Sequence, residues 1–84
     1  MTNIPYNSEQ VLKRIGQKLR KMRKQKGFKS AEQFAFTHEL NRVQYGYYEQ
    51  GKKDMRLSSL LKLLNTHQIS ITAFFNDIEN PEEQ

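Results

Sequence analysis

Ser30-Ala-Glu-Gln-Phe-Ala-Phe-Thr-His38, then Glu39-Leu40, then Asn41-Arg-Val-Gln-Tyr-Gly-Tyr-Tyr-Glu-Gln50 and Gly51, is the stretch whose reading decides the fold. Ser30 with Gln33 three places on has the capping-box pattern, in which the hydroxyl oxygen accepts an orphan N–H of the first helical turn. Asn41 with Gln44 repeats the signal. The two starts predict two short helices, over residues 30–38 and 41–50, separated by about two to three residues, which forces a sharp turn of the helix-turn-helix kind. An ordinary corner between two helices of a bundle fits the same spacing, and spacing alone leaves both readings open. Gly51 is expected to end the second of these helices with positive φ.

Working outward, Val11, Ile15, Leu19 and Met22 recur at helical intervals, and Leu12 widens the stripe, so a first helix is expected over 8–26 with Gly27 as its stop. Phe34, Ala35 and His38 are expected to face inward from the second helix, and Tyr45 and Tyr48 from the third. Lys52-Lys-Asp54 reads as a polar loop. A fourth helix over 57–67 carries Leu57, Leu60, Leu61, Leu63 and Leu64 and should form the buried centre. Ser70 caps a short fifth helix through Ile71, Phe74 and Phe75. No segment alternates apolar and polar residues as a strand does. The expected architecture is all-α, a five-helix orthogonal bundle, with an N-terminal tail at 1–7, the domain at 8–78 and an acidic tail at 79–84.

The chain of 84 residues is long enough for one modest core, and 36% hydrophobic residues suit a small helical interior. Its apolar runs are too short to span a membrane. Met1-Thr-Asn-Ile-Pro5 lacks a basic segment followed by an apolar one, so no secretory signal is expected. Cysteine is absent, which removes disulfides and thiolate metal sites and makes a reducing cytoplasm the expected compartment. The net charge is +5 and unevenly spread. Residues 1–29 hold nine basic side chains against one acid, Glu9, a local balance of +8, whereas residues 30–84 hold five against eight, a balance of −3. Such a bias suits a polyanionic partner on one side of the molecule; a solvated, solubilising helix face is the competing account.

The stretches Ile15-Gly-Gln-Lys-Leu-Arg-Lys-Met-Arg23, Gly27, Ser30-Ala-Glu-Gln-Phe-Ala35, Leu40-Asn-Arg42 and Tyr48-Glu-Gln-Gly-Lys52, continuing through Leu57 to Leu64 and Ile69-Ser-Ile-Thr-Ala-Phe-Phe75, resemble the Cro/repressor-type (XRE) helix-turn-helix family. The resemblance covers roughly residues 12–77. It implies a lambda-repressor-like DNA-binding domain, a transcriptional regulator that acts as a homodimer on duplex DNA, with the helix at 41–50 in the major groove. It also implies that Arg23 pairs with Glu49 and staples the first helix to the recognition helix.

On that reading Arg42, Val43 and Gln44, with Tyr47 one turn later, are the base-reading candidates. Arg42 has the fork for guanine, Gln44 the amide for adenine, and Val43 an apolar surface for a thymine methyl. Lys29, Ser30, Ala31, Lys52, Lys53 and Arg56 are the backbone candidates, Ser30 and Ala31 because they open a helix whose free N–H groups suit a phosphate. Gly46 is an oddity, since a glycine inside a helix costs about 1 kcal/mol relative to alanine. A close approach of another backbone, from DNA or from a neighbouring helix, would account for it. Phe74, Phe75 and Ile78 are candidate dimer contacts, with closure of the core the competing role.

The chain departs from the family pattern in three places. Lys29 resembles a one-residue insertion, Glu39 replaces the turn glycine, and His38 occupies an aliphatic position. Glu39 makes a left-handed turn less comfortable, so a different turn stays open. His38 is expected to be a half-buried, hydrogen-bonded packer, and His67 to suit the C-terminal dipole of the fourth helix. Two isolated histidines make no metal site, and no cofactor or catalytic constellation is expected. Alternatives to a repressor are an antitoxin that also binds a toxin protein, and a protein-interaction module that keeps the fold. Non-specific binding to RNA or to an anionic membrane through the first helix is a further alternative, of which the membrane is disfavoured because the apolar stripe of that helix is committed to the core.

Overall fold

A computed structural model describes residues 6–80. The expected tails lie outside these residues at positions 1–5 and 81–84; Glu79 is the last residue of a helix and Asn80 caps it. The helices are α1 Ser8–Gln25, α2 Ala31–Thr37, α3 Arg42–Gln50, α4 Leu57–His67 and α5 Ile71–Glu79, and no strand occurs among the described residues.

Four helices start on a side-chain cap. Asn7, Ser30, Asn41 and Ser70 each accept the backbone N–H three residues on, from Gln10, Gln33, Gln44 and Ala73, at 2.9–3.1 Å. Helix α4 follows Arg56 without a side-chain cap. Four helices also stop in one way, with a left-handed residue followed by an N–H that returns to the carbonyl five positions back. The left-handed residues are Gly27, Glu39, Gly51 and Gln68. The returning bonds are Phe28 to Arg23, Leu40 to Ala35, Lys52 to Tyr47 and Ile69 to Leu64, at 2.8–3.2 Å. Phe28, Leu40 and Ile69 then tuck their side chains against the core. The turn between α2 and α3 therefore keeps the left-handed conformation although Glu39, at φ 58°, stands where glycine is easiest.

Helix α1 packs on α3 and α5, α2 on α3, and α4 on α5. Ile15, Leu19 and Met22 meet Phe34, Ala35, Tyr45, Tyr48, Leu60, Leu63, Leu64, Phe74 and Ile78 in one core. Phe34 is fully buried, with the rings of Phe28, His38, Tyr45 and His67 at centroid distances of 4.5–5.3 Å. Burial of such a side chain stabilises the fold by about 1.5–3 kcal/mol. Lys18 and Asp77, 2.6 Å apart, add an ion pair between α1 and α5.

Three expectations are corrected here. Leu57 is 66% exposed, because it opens α4 beyond the edge of the core that Leu60, Leu63 and Leu64 fill. His38 packs through ring contacts with Phe28 and Phe34, while its Nε2 is buried without a hydrogen-bond partner among the described residues. His67 is no cationic partner for a helix dipole. It lies flat on Phe34, and burial first, then the charges of Lys26 and His38, push its pKa down to about 4. It is therefore neutral at pH 7. Of the C-terminal apolar residues, Phe74 and Ile78 are buried in the core, which leaves Phe75 half-buried.

Candidate nucleic-acid interface

Helix α3 is positioned by what it turns inward. Tyr45 and Tyr48 face the core, and Glu49 faces α1. Arg23, 4% exposed, grips Glu49 through two parallel bonds, Nε to Oε2 at 2.7 Å and Nη2 to Oε1 at 3.0 Å. Its remaining edge donates through Nη1 to the Phe28 carbonyl at 2.9 Å, which ties the α1–α2 connection to the same side chain. The hydrogen bonds to Glu49 hold the Arg23 pKa above its ordinary value, against the opposing effect of burial. The Tyr45 hydroxyl is buried near this pair without a well-formed hydrogen bond. Burial, and then the Glu49 carboxylate, raise its pKa, so the phenol stays protonated.

Two glycines let α1 and α3 approach. A β-carbon on Gly16 would lie 2.4 Å from the Glu49 carbonyl oxygen and 2.6 Å from that of Tyr48. Gly51, at φ 68°, would place one 2.7 Å from the Lys13 Cα. Gly46 differs from both. A β-carbon there would meet nothing within 4 Å, so no neighbouring helix accounts for it.

With its inward side committed to the core and α1, α3 offers a solvent face. Arg42, Val43, Gly46, Tyr47 and Gln50 share one shallow hollow with Ala31 and Glu32 of α2. Val43 is 67% and Tyr47 40% exposed, large apolar surfaces for a small chain to leave in water. Three of the four base-reading candidates thus stand together. Gln44 stands apart, exposed but turned toward α4, where it lines a cavity of about 130 Å³ with Glu39, Asn41, Ser59 and Lys62.

The backbone candidates flank this face unevenly. Ser30 caps α2, and Ala31 reaches the hollow. Lys53 holds its Nζ 5.8 Å from the centre of the Tyr47 ring, a cation over an aromatic face. Lys52 lines a second groove, and Lys29 and Arg56 are exposed on neither wall. Sequence reasoning passed over that groove, which Lys13, Gln17 and Arg20 of α1 build against Gly46, Gln50 and Lys52. The signal was present in their spacing of four and three, which sets all three on one side of a helix. Among the described residues there is no cluster able to hold a metal ion, and no helix is long and apolar enough to cross a membrane.

A capped pair of helices joined by a tight turn, with the second helix clamped from behind and its open face flanked by lysine and arginine, defines a small helix-turn-helix regulator that binds DNA. No protein-family model matches the chain. Control protein C.MunI of a Mycoplasma species is 39% identical over 66 residues, which cover 79% of this chain and 89% of that protein. The crystal structure of the restriction-modification controller protein C.AhdI from Aeromonas hydrophila matches with a TM-score of 0.69 and 32% identity, covering 82% of this chain and 99% of that one. The chain belongs to this family of restriction-modification controller proteins.

Proposed function

We propose that the protein is a sequence-specific transcription regulator of the Cro/repressor type, a repressor that binds duplex DNA as a homodimer with α3 in the major groove. The genes under its control are those of a restriction–modification system, a reading supported by its likeness to C.AhdI, a restriction-modification controller protein. The observation that carries the reading is the open face of α3. Arg42, Val43 and Tyr47 project together from a helix whose opposite side is fixed to α1 by Arg23 and Glu49. A base reader needs this combination, because discrimination of about 1–3 kcal/mol per bidentate contact survives only if the side chain is presented in register.

In this reading Arg42, Val43, Gln44 and Tyr47 read bases, and Lys29, Ser30, Ala31, Lys52, Lys53 and Arg56 hold the backbone. Gln44 reaches the bases only from the edge of the face. Dimerisation draws support from the apolar surface that Leu57, Ile71 and Phe75 leave uncovered. A pseudo-palindromic site with half-sites about 10 bp apart is then expected.

Selection of bound sequences from random duplex DNA tests the reading, followed by titration at several salt concentrations. One sequence should be enriched. Arg42→Ala should cost about 1–3 kcal/mol on that sequence and relax preference at one base position. Lys53→Ala should weaken all sequences alike and reduce the salt slope by about one. A pool that shows no enrichment refutes the reading.

A further inference from the structure

The chain has two glycines inside helices, and only one of them is explained by the protein itself. Gly16 is required because the α3 carbonyls would collide with any side chain there. Gly46 has helical neighbours on both sides, open space where its side chain would be, and no positive φ. Neither steric crowding nor backbone conformation calls for glycine, and helix propensity argues against it. What the missing side chain leaves is a bare patch of helix backbone facing outward.

That patch forms part of two adjoining depressions. On one side lies the face with Arg42, Val43 and Tyr47. On the other lies a groove of about 480 Å³ to which α1 contributes Lys13, Gln17 and Arg20, and the segment after α3 contributes Lys52. The first side balances Arg42 against Glu32, whereas the second carries Lys13, Arg20, Lys52 and the paired Arg23, with the amides of Gln17 and Gln50. Glu49 also lines the second, but its carboxylate is held at both oxygens by Arg23. The groove is therefore cationic, and its floor is bare backbone.

We propose that this groove seats a phosphodiester of one DNA strand, with Gly46 as the floor that lets the strand lie against α3 and with Arg20, Gln17 and Lys13 as its wall. Charge selects the occupant, since a sugar–phosphate chain brings the anionic oxygens that Lys13, Arg20, Lys52 and the Gln17 amide match. The inference rests on the DNA-binding reading above. It adds that α1, and not only the helix-turn-helix, holds the duplex, and that glycine at position 46 is kept for the ligand at the expense of the fold.

Gly46→Ala separates these effects because they have opposite signs. The melting temperature should rise by about 4–8 °C, the gain from alanine inside a helix of a small domain. Affinity should fall at least about fivefold, the cost of one methyl group forced into a close contact. The fall should be equal for a duplex of random sequence and for the sequence enriched by selection, because a phosphate contact carries no base information. Arg20→Ala should weaken both duplexes alike, lower the salt slope by about one, and leave the melting temperature unchanged. Undiminished affinity in Gly46→Ala overturns the inference, as does a loss confined to the enriched sequence. If the wild-type protein binds neither duplex, the DNA-binding reading itself fails, an outcome distinct from either of these.

Discussion

Gly16 lies so close to Glu49 that a β-carbon would stand 2.4 Å from the Glu49 carbonyl oxygen, and this absent methyl group sets the distance between the first helix and the third. The obstacle would be backbone, which cannot swing aside as a flexible side chain can. Gly16→Ala should therefore destabilise the protein, although alanine is the better helix former by about 1 kcal/mol. Overpacking typically costs about 1–3 kcal/mol, and here two carbonyls are involved. A urea titration should show a lower midpoint with an unchanged slope. Stability equal to or above wild type would mean that the two helices can separate freely.

The Arg23–Glu49 pair has side chains only 5% and 7% exposed. Removal of one partner leaves a buried charge without its counterpart, so Glu49→Leu and Arg23→Met should each cost about 3–5 kcal/mol. The double variant Arg23→Met/Glu49→Leu should recover much of that loss, since no unpaired charge remains. A double-mutant cycle by thermal denaturation measures the coupling. Additive losses would show that the two residues act independently.

Glu39 holds φ at 58° in the turn between α2 and α3, where its N–H meets the Phe36 carbonyl at 3.2 Å. A side chain in this conformation is strained by about 1–2 kcal/mol relative to glycine. Glu39→Gly should raise stability by about 1 kcal/mol, a net gain after the greater freedom of glycine in the unfolded chain. Calorimetry should detect this as an increase of several degrees in Tm. A decrease would show that the glutamate side chain supports the turn.

His67 gives a pH dependence whose sign is fixed. Its folded-state pKa of about 4 lies below the ordinary value of 6.5, so protonation favours the unfolded chain. Stability from this source is complete above about pH 6.5 and is lost as the pH falls toward 4. The ring is partly exposed, so the loss is about 1–2 kcal/mol, below what the full shift would give. His67→Gln should flatten the slope of Tm against pH within that window, while Lys26 and His38, the charges that act on the ring, remain in place. An unchanged slope would assign the effect to another group.

Much of the fold was legible because it is local. Ser30, Asn41 and Ser70 announce their helices by chemistry confined to a few residues, and the stripe from Ile15 to Met22 shows the inward side of α1 directly. Failures came where the answer depends on distant chain. Leu57 has the spacing of a core residue but falls past the end of the core. Gly16 and Gly46 are indistinguishable as glycines in helices; only the position of α3 shows that one meets carbonyls and the other open space. His67 looked like a cation because its stacking on Phe34 is not written in its neighbours. In the candidate site, Arg42, Val43 and Tyr47 share a face, while the turn of Gln44 toward α4 and the wall made by Lys13, Gln17 and Arg20 required the packing of three helices.

Helix α3 is held from behind at Gly16, at Glu49 and at Gly51, all against the single long helix α1. A surface anchored at three points resists bending to follow its ligand, so more of the accommodation in a complex is expected to fall on the nucleic acid. Base steps that kink or untwist at low cost will then be favoured even where no side chain touches them. The stiffness of the protein becomes a form of sequence preference, read through the mechanics of the duplex.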